Sequence, residues 1–178
     1  DDLPLQFQNL VRTHVFEKEH LGVLTGSPIA DIRVELLAGR AHLKHTEGGD
    51  FRQATYRAIR QGLMKAESIL LEPYYAFAID APQACMGRVL SDIQRMSGTF
   101  DPPETDGERA TVRGRVPVSE MMDYAPDLAA LTKGQGRLTL RFDGYEPCHN
   151  AQEVIARRAY CAEADKEKDA ESVFCQKG

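Results

Sequence analysis

Residues 5–20 place Phe7, Leu10, Val11 and Val15 at helical spacing, with Glu, Lys and His on the other side, which predicts an amphipathic helix. "GVLTGSP" then breaks the chain with two glycines and a proline. "IADIRVELL" (29–37) alternates Ile32, Val34 and Leu36 against Asp31, Arg33 and Glu35, the pattern of a strand with one buried face. After the loop "GRAHLKHTEGGD" (39–50), Asp50 is placed to cap a helix from Phe51 to about Lys65. Its apolar stripe is Phe51, Ala54, Ala58, Ile59 and Leu63, and Arg52, Arg57 and Arg60 fall on its wetter sides. This first block reads α-β-α, and its single strand has no partner within the block.

A second unit begins at "SILLEPYYAFAID", where Tyr75, Phe77 and Ile79 alternate on a strand of about 72–80. Pro82 marks the start of a helix that runs to about Ser97 on Cys85, Val89, Ile93 and Met96, and Gly98 ends it. A short strand near 99–101 meets "ATVRGRVPV" through a turn signalled by Asp106-Gly107. Ser119 is placed to cap a helical stretch, interrupted or restarted at Pro126 and ending at Gly134, and "RLTLRFDGY" closes the unit as a strand. The order over 72–146 is β-α-β-β-α-β, the split βαβ, ferredoxin-like plan. In the tail (147–178), Asn150 and Glu153 suggest a capping box for a helix through Tyr160, and "AEADKEKDAES" is charged enough to be expected mobile.

Composition narrows the function classes. The 178 residues suffice for one large domain or two small ones, with a core that needs no disulfides. No apolar run approaches a membrane span, and residues 1–20 do not resemble a signal peptide. Cys85, Cys148, Cys161 and Cys175, irregularly spaced, fit a reduced cytosolic protein. The chain opens in mid-pattern, as a fragment would. Residues 39–65 carry Arg40, Lys44, Arg52, Arg57, Arg60 and Lys65 against Glu47 and Asp50, a local +4 that leaves −9 for the rest of a chain at −5. A basic face on an acidic body favours a polyanion bound in one place; the plainer alternative is a solvated helix face.

Little points to catalysis. There is no phosphate-cradling GxxxxGK[ST], no GxGxxG in a strand-to-helix turn, no HExxH and no CxxC pair; "KGQGR" (133–137) reads as a tight helix-to-strand turn. His42 and His45 could ligate a metal, but no cysteine or third histidine is near in sequence. Cys148, His149, Cys161 and Cys175 match no common zinc module, so no structural zinc is expected there. A Cys148 or Cys85 nucleophile would need an orienting group that the sequence does not display. Histidines and Lys44 at a loop tip could stack on bases and pair with phosphates, or form only a hydrophilic turn.

"GVLTGSPIADIRVEL" (22–36), "GDF" (49–51), "LLEPYYAFAIDAPQ" (70–83) and "VPVSEMMDYAPDLAALTKGQGRLTLRF" (116–142) choose between these. They resemble the C-terminal half of elongation factor G and its relatives, the tetracycline resistance ribosomal protection proteins, over roughly residues 4–146. The resemblance implies an α+β fold: a partial domain IV over 1–68, a ferredoxin-like domain V over 69–146, and a C-terminal tail with a short helix over 147–178. The GTPase domain, domains II and III and the first strands of domain IV would lie outside this chain, and GTP and Mg with the GTPase domain. This chain would then be no enzyme, although the intact protein would be a ribosome-dependent GTPase. The implied partner is the ribosome, through rRNA and A-site tRNA, together with the N-terminal GTPase domains of the same protein; membrane and DNA are not implied, and the setting is cytoplasmic. In the family the loop at 39–50 forms part of the domain IV tip near the decoding centre. That assigns RNA contact to Arg40, His42, Leu43, Lys44, His45 and Thr46, and a second contact to Arg88 and Arg95. The length of the run after His42, its closing Asp50-Phe51 and "APQ" (81–83) look more like the protection proteins, whose proline-containing tip is absent here. The rivals are a translocase and a free-standing ferredoxin-like interaction module.

Overall fold

The computed structural model describes residues 3–42 and 46–168. They form two compact units: one runs up to Ile69 and resumes at Gln152, and the other spans Leu70–Ala151. The tail from Gln152 therefore belongs with the first unit, and residues 147–151 with the second.

In the first unit, α1 (Leu5–Phe16) and α2 (Gly48–Lys65) pack through stacked rings of Phe7 and Phe51, with centroids 4.7 Å apart. Helix α2 starts three residues earlier than expected. Glu47 is its cap, and Asp50 returns its carboxylate to the Glu47 N–H at 2.9 Å, so Asp50 closes a capping box rather than capping. Between the helices, Leu21 bridges Pro28, and Gly22 N–H donates to the Ser27 carbonyl at 2.7 Å. The strand expected at 29–37 does not form. Ile32, Val34 and Leu36 stand 49%, 48% and 47% exposed. Alternation can mark a face, but a strand exists only where its N–H and C=O groups find a ladder, and no described residue supplies one.

In the second unit, β1 (Leu71–Pro82) is paired antiparallel on both sides, by β4 (Arg109–Pro117) and β5 (Arg137–Pro147). The short β2 (Thr99–Phe100) and β3 (Glu104–Asp106) pair the outer side of β4. Helices α3 (Gln83–Arg95), α4 (Val118–Met121) and α5 (Tyr124–Leu131) complete the split βαβ plan. Phe77, Ile79 and Ala81 of β1 and Ala110, Val112 and Val116 of β4 face Met86, Val89 and Ile93 of α3, Met121, Tyr124 and Leu128. Each large apolar side chain buried there contributes about 1.5–3 kcal/mol. Cβ on Gly114 would lie 2.0 Å from the Thr99 carbonyl oxygen, so only glycine lets β2 close on β4.

Element ends differ from expectation for local reasons. Helix α3 stops in a Schellman turn: Ser97 takes φ +57 while Gly98 N–H donates to Ile93 at 2.9 Å, so serine holds the left-handed position. Pro117, not Ser119, precedes α4, and Pro126 sits in the first turn of α5, where its missing N–H costs nothing. Helix α6 (Ala151–Arg158) follows β5. Residues 162–168, expected mobile, hold defined contacts: Tyr160 donates to Asp165 at 2.8 Å, Lys168 pairs Asp165 at 2.9 Å, and Ala162 is buried. The rest of the charged stretch lies outside the described residues.

Candidate nucleic-acid interface

The loop before α2 is tied at both ends. His42 N–H donates to Thr46 Oγ1 at 2.8 Å, and Thr46 N–H donates to the His42 carbonyl at 3.0 Å. The capping box of Glu47 and Asp50 follows at once. The reciprocal His42–Thr46 pair thus stands directly before the capped start of α2. Arg40 and His42 are exposed and Thr46 is half-buried. Leu43, Lys44 and His45, also assigned to this contact, lie outside the described residues.

The basic face read at 39–65 is less available than its charge suggests. Arg60 is only 5% exposed, and its guanidinium donates to the carbonyls of Leu21 and Ala162, both at 3.2 Å, and to the Tyr160 hydroxyl at 2.7 Å. It is a structural cation, not one on the wet side of α2. Arg52 donates to Glu17 at 2.9 Å. Glu17 gathers Tyr56, His14 and Arg52 around one carboxylate, and these hydrogen bonds, Tyr56 foremost, hold its pKa down to about 2. Arg57 lines an open cleft with Lys18, His20, Tyr56, Lys166 and Lys168.

Arg88 and Arg95 meet at one acid. Both pair with Asp92, at 3.1 and 3.0 Å, and Asp92 is itself buried and accepts from the Tyr124 hydroxyl at 3.1 Å. Burial and the Asp92 charge raise the Tyr124 pKa. The two arginines thus neutralise a buried carboxylate while their side chains stay 62% and 65% exposed. Part of their charge is spent within the fold.

Sequence reasoning passed over the sheet face opposite the core. Register sets Ala76 of β1 between Arg115 of β4 and Arg141 of β5, and Ala78 between Arg113 and Thr139. Two small residues thus floor a row of arginines. Acids offset them: Arg115 pairs Asp143 at 2.6 Å and also Glu146, and Arg113 pairs Glu104 at 3.2 Å. Gly144, at φ +81, forms the β5 bulge that lets Asp143 and Glu146 both reach Arg115. The signal was present as arginines two and four positions apart in strands whose other face is apolar.

Among metal-ligating candidates, Cys161 is exposed and lies 3.4 Å from a Glu163 oxygen, while His45 and Cys175 fall outside the described residues. Cys148 and His149 instead meet Glu72, a residue no tail spacing could have suggested.

Comparison with known proteins agrees with this architecture. Residues 2–67 match the family model of elongation factor G domain IV, and residues 69–155 match that of the elongation factor G C-terminus. Elongation factor G of Aquifex pyrophilus is 33% identical over 88% of the chain, and tetracycline resistance protein TetP of Clostridium perfringens is 31% identical over 81%. The chain spans 23% and 22% of their respective lengths. A crystal structure of a Thermus thermophilus protein superposes with a TM-score of 0.78 at 31% identity, covering 88% of this chain and 24% of that one. With both matched stretches in sequence and the antiparallel split βαβ sheet in the second, the chain belongs to the elongation factor G family through its domain IV and C-terminal domains.

Proposed function

We propose that this chain is the ribosome-binding C-terminal portion of a translation factor of the tetracycline ribosomal protection type. The observation that carries the reading is that Arg40 and His42 are exposed, and His42 is hydrogen-bonded to Thr46, directly before the capped start of α2, within the stretch matched to domain IV. Imidazoles at His42 and His45 stack on unpaired bases, at about 1–3 kcal/mol per base. Arg40 and Lys44 take phosphates, a contribution that weakens with salt. Arg88 and Arg95 form the weaker contact, because Asp92 already draws on their charge.

The partners are rRNA and A-site tRNA, with the GTPase domains of the same protein, in the cytoplasm. GTP and Mg belong to those domains, so the isolated chain neither binds nor hydrolyses GTP. No helix among the described residues is long and apolar enough to cross a membrane. The second reading, a translocase with the same tip, is favoured by the 33% identity to elongation factor G. The full-length protein separates the two. Release of bound tetracycline from ribosomes with GTP supports the protection reading, translocation without drug release supports the other, and neither activity overturns both.

A further inference from the structure

Where β1 begins and β5 ends, three residues of different chemistry converge. Glu72, Cys148 and His149 each bring one donor atom within 4.8 Å of the other two. Backbone bonds hold them there. Leu71 pairs Pro147, Glu72 pairs Glu146, and Cys148 N–H donates to the Leu70 carbonyl at 2.8 Å. His149 N–H then donates to Glu72 Oε1 at 2.8 Å, and its ring Nδ1 stands 2.7 Å from the same oxygen. Glu72 is only 9% exposed, and its ion-pair partner is a histidine rather than a lysine or arginine. On the far side of the ring, Glu120 of α4 stands 3.6 Å from Nε2.

From this geometry we infer that Glu72, Cys148 and His149 form a binding site for a zinc-like divalent transition metal. Thiolate, imidazole and carboxylate together suit zinc or cobalt and do not suit magnesium or calcium, which take all-oxygen shells. Tetrahedral coordination with bonds of about 2.0–2.3 Å sets donors about 3.3–3.7 Å apart. The Glu72–His149 separation must then open by about half an ångström, which rotation of the partly exposed histidine side chain supplies. A water completes the fourth position, and binding releases the Cys148 thiol proton to solvent. Ligating histidines usually give their other ring N–H to a carboxylate, and Glu120, 3.6 Å from Nε2, is the acid that a small side-chain shift would bring into that role. This site is unlike the four-residue tail arrangement weighed from the sequence: it needs neither Cys161 nor Cys175, and it takes its acid from the start of β1, which register sets beside the end of β5. The bound metal would clasp the end of β5 to the start of β1.

The test is cobalt and zinc titration of the 178-residue chain after chelation and dialysis. The expected result is one equivalent bound with micromolar or tighter affinity and a thiolate-to-cobalt absorption band. Cys148→Ser should abolish the band, and Cys148→Ser and His149→Gln should each weaken zinc binding by at least about tenfold. Glu120→Gln should weaken it by about tenfold through the ring it orients. The double variant Cys161→Ser/Cys175→Ser should bind as the parent does. Thermal melts in chelator check that the variants fold as the parent does; if one does not, the other ligand variant decides. Absence of one-to-one binding, or binding unchanged by Cys148→Ser and His149→Gln, overturns the proposal.

Discussion

Two stretches of this chain carry the same alternation and meet opposite fates. Phe77, Ile79 and Ala81 are 4%, 0% and 0% exposed on β1, whereas Ile32, Val34 and Leu36 are about half exposed. Hydrophobicity does not separate them. Strand β1 has β4 on one side and β5 on the other, and helices cover the face those residues share. Residues 29–37 have no ladder among the described residues, and Ile32, Val34 and Leu36 stay about half in solvent. A period of two specifies a face; pairing turns it into a buried one.

Matched substitutions break this comparison most sharply. Ile79→Ala should cost about 2–5 kcal/mol in chemical denaturation, because it leaves a cavity under paired strands. Val34→Ala should shift stability by no more than about 0.5 kcal/mol. Equal effects would mean that 29–37 is packed as β1 is.

A polar junction in the paired unit gives the next effect. Asp92→Asn leaves Arg88 and Arg95 without their carboxylate at a buried position, and a cost of about 1–3 kcal/mol is expected by denaturation. If the cost is absent, the arginines serve only an external contact.

Acid sharpens the contrast on the side of the first unit. Glu17 has its pKa lowered from 4.5 to about 2, so its stabilisation is complete above pH 4.5 and is lost as pH falls through about 2. Circular-dichroism melts should therefore fall in temperature across that window, and Glu17→Gln should remove this part of the slope. A parent and variant with parallel pH profiles would show that the cluster with Tyr56, His14 and Arg52 does not couple to folding.

These effects also mark what could be read from sequence. The β-α-β-β-α-β order was legible because each element carries its own period and the turns carry Gly107 and Gly98. Boundaries set by backbone exchange were not: Glu47 displaced Asp50 as the cap, and Ser97 took the left-handed position beside a glycine. Arg88 and Arg95 flank Asp92 at helical spacing, so their internal role was readable in retrospect. The meeting of Glu72 with His149, 77 positions away, was not, since only the register of β1 and β5 creates it.

A stability effect as small as that of Val34→Ala is expected at the tip, where the largest functional one is expected. Replacing His42, Lys44 and His45 with alanine in the full-length protein should change stability by no more than about 0.5 kcal/mol. The direct test of ribosome engagement by residues 40–46 is to compare melting, ribosome-stimulated GTP hydrolysis, and drug release or translocation in that variant and its parent. The predicted result is unchanged melting and near-parental hydrolysis, with release or translocation reduced by at least about fivefold, as the loss of one base stack of about 1 kcal/mol or more requires. A variant that melts normally and performs both ribosomal tasks at the parental rate would contradict the assignment of this turn as the RNA contact.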